Sequence, residues 1–101
     1  MTISYTDFLA NVNTDDLAML TSFICNVDVE AQTDATLADT LFTQATRLDS
    51  AGLLTEMHRV YSHDANGNLL QSFRGVVTPQ AASYVAQLAR ERVVLSREPL
   101  P

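Results

Sequence analysis

The cationic chemistry of this chain rests on six arginines, because it contains no lysine. Two of them, Arg59 and Arg74, lie in β-rich runs that flank Asp64-Ala65-Asn66-Gly67-Asn68. Asn-Gly is a preferred centre for a two-residue type I′ hairpin turn, since both residues tolerate positive φ. With Asn66-Gly67 as the loop, Val60 faces Phe73, Met57 faces Val76, Tyr61 faces Ser72 and Arg59 faces Arg74. Two guanidinium groups directly opposite one another repel. An anion such as a phosphate held between them relieves that repulsion. The alternatives are a register that separates the two arginines, or pairing with an acid such as Glu56 or Asp64.

Other residues offer less. His58 and His63 are five apart on a predicted strand, so they point to opposite faces, with no cysteine or suitably spaced acid nearby to complete a metal site. No nucleophile elbow, phosphate-cradling glycine loop or HExxH helix is present. The pair Asp15-Asp16 fits a helix start, where the helix dipole favours negative charge. Cys25 is the lone cysteine; beside an apolar helical stripe, it is expected in the core as a small hydrophobe. The sequence therefore predicts no metal, no cofactor and no catalytic activity.

Charge is divided along the chain. Residues 1–46 contain seven carboxylates and no basic residue, and residues 47–101 contain all six arginines against five acids. The arginine-bearing half suits double-stranded DNA. The acidic half suits a basic protein partner.

These residues must be positioned by a small fold. The 101 residues, 47% of them hydrophobic, match one domain spanning 1–101. No apolar stretch approaches the ~20 residues of a membrane span. Residues Met1–Asp7 lack the basic and apolar regions of a secretory signal, so a cytoplasmic protein with no membrane partner is expected. Residues 6–12 predict one or two helical turns with Phe8, Leu9 and Val12 inward. A second helix is predicted from Thr14, its cap, with Leu17, Leu20, Phe23, Ile24 and Val27 on one face. Residues 28–34 read as a loop. A helix over 37–51 follows, started by Thr36 with Asp39 in a capping-box-like position. Its stripe is Leu37, Leu41, Ala45 and Leu48, and Gly52 is its C′ stop. A hairpin over 54–77 turns at 64–68. Thr78 caps a last helix over 79–95, with Pro79 at its first position and a stripe of Ala81, Val85, Leu88, Ala89 and Leu95. Arg90, Arg92 and Arg97 lie toward its C-terminal end, and Pro99 and Pro101 make a frayed tail.

The segment Arg47-Leu48-Asp49-Ser50-Ala51-Gly52-Leu53-Leu54, the Asn-Gly hairpin and Val76-Val77-Thr78-Pro79 follow one another in an order that resembles winged helix-turn-helix regulators of the bacterial MarR type. There the recognition helix runs into the wing as "RLExxGLV", and "LTP" opens the next helix. The resemblance covers about residues 37–95. It implies an α+β fold: a small winged-helix-like domain with N-terminal helices, a β-hairpin wing and a C-terminal helix, with Leu17 to Val27 serving as positioning helix. It also implies transcription regulation, with Thr40, Thr43, Gln44 and Arg47 toward the major groove and Arg59 and Arg74 on flanking phosphates. The rival expectation is an acidic winged-helix-like module that binds protein and no nucleic acid: an adaptor, an inhibitor or a DNA mimic. Exposed hairpin edges and the generous apolar content further predict a homodimer, with the N-terminal helices or the last helix in contact.

Overall fold

The computed structural model describes residues 3–96. They form helices α1 (Tyr5–Asn11) and α2 (Thr14–Ile24), strand β1 (Val29–Gln32), helix α3 (Ala35–Ser50), strands β2 (Leu54–His63) and β3 (Leu69–Val77), and helix α4 (Pro79–Ser96). The result is a small α+β domain, with four helices and an antiparallel sheet of order β1-β3-β2 among the described residues. This arrangement is compatible with a winged-helix-like layout. The expectations for the Leu95 side chain and for Arg97, Pro99 and Pro101 lie outside what is described.

Local chemistry starts and stops each helix. Ser4 caps α1 by accepting from Asp7 N–H. Asn13, rather than Thr14, caps α2: its side chain accepts from Asp16 N–H while the Asp16 carboxylate accepts from Asn13 N–H. Two orphan donors are thereby satisfied reciprocally. Asp34, rather than Thr36, caps α3 by accepting from Leu37 N–H. The α3 stop at Gly52 is as expected. Gly52 has φ 80°, its N–H donates to Asp49 O and Leu53 N–H donates to Leu48 O. This is a full Schellman closure, with Leu48 and Leu53 both buried beneath it. Asn26, at φ 58°, closes α2 in the same way through Val27 N–H to Ser22 O.

The segment expected as a loop contains β1, whose Val29 and Glu30 pair with Phe73 and Ser72 of β3. Helices α2 and α3 are consequently separated by a strand. The β2–β3 hairpin falls where predicted, but its register differs by one residue. Gly67 N–H donates to Asp64 O, and of Asn66 and Gly67 only the glycine has positive φ, at 81°. The connection is therefore a type I turn followed by a left-handed glycine, a three-residue loop of Ala65, Asn66 and Gly67. The Asp64 carboxylate also accepts from the N–H groups of Asn66 and Asn68. A one-residue change flips side chains between faces. Arg59 faces Phe73, Val60 faces Ser72, Tyr61 faces Gln71, Met57 faces Gly75, and Arg74 faces His58.

The core joins Phe8, Met19, Leu20, Phe23, Ala45, Leu48, Leu53, Leu54, Phe73 and Ala81. Phe23 lies against the β3 backbone at Gly75, where a Cβ would meet its ring at 2.7 Å. Several expected inward residues are outside the core. Leu9, Ile24, Val27 and Leu37 are exposed, as are Ala89 and Cys25. Ile24 is the last residue of α2 and Val27 lies past its Asn26 stop, while Leu37 sits in the first turn of α3.

Candidate functional site

Helix α3 brings four of the expected site residues together. Thr40, Thr43, Gln44 and Arg47 line one side of a cavity of about 450 Å3, completed by Asp39 and by Asn13 and Asp15 at the start of α2. Arg59 and Arg74 are not part of it. They occupy opposite faces of the hairpin, because the register sets them apart.

Each of these side chains is already engaged. The Thr40 hydroxyl donates to Thr36 O (3.1 Å) and the Thr43 hydroxyl to Asp39 O (2.9 Å). Gln44 Nε2 donates to Asp16 Oδ1 (3.0 Å), and Arg47 Nη2 makes an ion pair with the same oxygen. Asp16 is fully buried, the one charged side chain in the core among the described residues. Burial pushes its pKa up. Hydrogen bonds from Gln44, Asn13 N–H and Arg47, with the charge of Arg47, outweigh burial and hold the carboxyl below its ordinary value.

Arg59 fills the angle between α3 and the hairpin. Its guanidinium lies 4.9 Å from the Phe42 ring centroid, 5.5 Å from Tyr61 and 5.7 Å from Phe73, within cation–π range of all three. It donates through Nε and Nη2 to Gln71 Oε1, at 3.0 and 2.6 Å, and Asp39 Oδ1 is 3.8 Å away. Arg74 makes a two-pronged pair with Asp28, Nε to Oδ1 at 3.0 Å and Nη2 to Oδ2 at 3.1 Å. The hydrogen bonds and charge of Arg74 lower the Asp28 pKa, and Asp28 raises that of Arg74.

The three arginines preceding α4 therefore each meet a carboxylate from residues 1–46. The expected facing of Arg59 and Arg74 across the hairpin is corrected: Phe73 lies opposite the first and His58 opposite the second. Sequence reasoning missed Asp16, Asp28, Phe42 and Gln71. Only Asp16 left a local signal, the Asn13-Thr14-Asp15-Asp16 capping box. The others depend on register and on contacts distant in sequence.

His58 and His63 are both exposed, with Glu56 Oε2 3.4 Å from His58 Nε2. No cluster of three or more His, Cys, Asp or Glu side chains among the described residues could hold a metal ion. None of the described helices is long and apolar enough to cross a membrane. No family model, curated protein or solved structure matches this chain.

Proposed function

We propose that this chain is an acidic protein-interaction module of winged-helix-like layout that does not bind nucleic acid, with the exposed face of α3 as its docking surface. The observation that carries this reading is the engagement of all six side chains expected to grip DNA. Two threonine hydroxyls donate to helix carbonyls, Gln44 and Arg47 to Asp16, Arg59 to Gln71 and Arg74 to Asp28. These internal acceptors compete with a duplex for the same side chains, and a duplex would meet Asp15 and Asp39 in the same cavity. Residues 3–89 carry ten carboxylates against three arginines, a balance that repels phosphate and attracts a basic protein surface.

The DNA-binding alternative rests on the gathering of Thr40, Thr43, Gln44 and Arg47 on one helix face. Fluorescence anisotropy of a labelled mixed-sequence duplex at about 50 mM salt, where electrostatic binding is strong, separates the two. The module reading expects no rise up to about 100 μM protein, the weak end of ordinary non-specific affinity. A saturable rise that weakens with salt, and falls again in the Arg59→Ala/Arg74→Ala double variant, would establish DNA binding with the hairpin as its phosphate grip. A rise whose sequence preference shifts with Thr43→Ala or Gln44→Ala would place base readout on α3.

A further inference from the structure

The α3 cavity continues along the helix. A second cavity of about 360 Å3 shares Asp15, Thr40 and Gln44 with it, and its other walls include Ala18, Met19, Leu37 and Leu41. Together they make a groove between α2 and α3, acidic at one end around Asp15 and Asp39 and apolar at the other. Leu37 is 41% exposed there.

The end of α4 has the complementary character. Residues 89–92 cover a full helical turn beside α1, and all four are exposed. The Cα radius of gyration is 15.8 Å and the longest extent 56 Å, against about 13 Å for the radius of a compact chain of this length. Arg90 and Arg92 lie on the exposed turn, and neither has a carboxylate partner among the described residues. The helix continues in sequence with Val93, Val94 and Leu95. In sequence the exposed arginine-bearing turn is followed by an apolar run, and the groove of the domain is acidic at one end and apolar at the other.

We infer that the α2–α3 groove takes the arginine-bearing end of α4 from a second copy of this chain, two copies exchanging these ends about a two-fold axis. The inference rests on the reading of α3 as a protein-docking face. The chain's own α4 supplies no residue to either cavity. It is one continuous helix, fixed beside α1 by the Tyr5 hydroxyl donating to Glu91 (2.8 Å), so a rigid rod held there does not fold back into its own groove. Charge selects the partner: the three arginines of the domain are engaged internally, leaving Arg90 and Arg92 as the described cations available to its acids. Two-fold exchange makes every contact twice, which suits a short helix end that alone offers little area.

Charge reversal tests this on the intact chain. Sedimentation equilibrium at high micromolar protein and low salt should give twice the 11.1 kDa chain mass, with dissociation as salt rises. Arg90→Glu/Arg92→Glu and Asp15→Arg/Asp39→Arg should each weaken the dimer by about tenfold or more. Mixed in equal amounts they should form a heterodimer, because both exchanged contacts then pair opposite charges. Leu37→Glu, at an exposed site that the fold tolerates, should also dissociate the dimer and stands in if the double aspartate variant melts early. A parent that stays monomeric overturns the inference, and so does a dimer indifferent to all three changes. Either failure, with no DNA binding, leaves the module reading in place with a foreign basic partner; DNA binding would remove the reading itself.

Discussion

The buried Asp16 carboxylate holds three donors: Asn13 N–H, Gln44 Nε2 and Arg47 Nη2. Removing its carboxylate breaks the α2 capping box and takes the shared acceptor from Gln44 and the half-exposed Arg47, so Asp16→Ala should lower unfolding free energy by about 1–2 kcal/mol, measured by urea denaturation. The native pKa lies below the ordinary value, so protons bind the unfolded chain more readily. The stability Asp16 provides is complete above about pH 4–5, where an unfolded aspartate is ionised, and is lost as pH falls through its lower native value. Asp16→Asn should accordingly flatten the stability slope on the acid side, leaving the part due to Asp28 and Asp64, whose values are also lowered. A variant with the parent's acid slope would contradict this account. Asp15 and Asp16 are neighbours of one type, and both favour a helix start. Only the approach of Gln44 and Arg47, about thirty residues later, makes one of them a buried anchor, and helix-start patterning carries no information about that approach.

At the scale of elements, two glycines carry separate loads. Gly75 lets the Phe23 ring rest on the β3 backbone, and a methyl group there would sit 2.7 Å from two ring carbons. Gly75→Ala should cost about 1–3 kcal/mol through overpacking, seen as a lower denaturant midpoint with an unchanged slope. Gly67 has open space around its α-carbon but a φ of 81°. Gly67→Ala should cost only about 1 kcal/mol, from backbone strain. If the two glycines proved equally sensitive, close packing would not be what distinguishes them. The same elements mark what was legible in the sequence. Gly52 as a helix stop and Thr78-Pro79 as a helix start were readable, because each acts through its own backbone; the Thr78 hydroxyl accepts from Ala81 N–H at 3.2 Å. The hairpin's place was readable, but its register was not. Asn-Gly serves a two-residue turn or a three-residue one ending in glycine, and the Asp64 carboxylate bonds accompany the longer form. That one residue separated Arg59 from Arg74 and undid the expected phosphate clamp. Strand β1 was hidden because Val29–Gln32 is short and polar and gains its ladder only from β3.

Across the whole molecule, the acidic first half and the arginine-bearing second half are stitched together rather than displayed side by side. Asp16, Asp28 and Asp39 come from residues 1–46, and Arg47, Arg74 and Arg59 answer them in turn. Each arginine before α4 is offset by one of these carboxylates, and the remaining acids leave a net negative surface there. High salt should therefore weaken self-association through α4 more than it weakens the fold, since exposed pairs are screened more strongly than the buried Asp16 cluster. Sedimentation and thermal melting over the same salt series check that ordering. The central claim, that the arginines preceding α4 serve the chain's own acids and not phosphate, is tested most directly by the 15N–1H signals of the arginine Nε–H groups. With Nε of Arg59 on Gln71 and Nε of Arg74 on Asp28, both signals should be unmoved by excess duplex DNA at low salt, the less exposed Arg59 Nε–H exchanging with water more slowly than that of Arg74. Signals that shift saturably on adding duplex would contradict it.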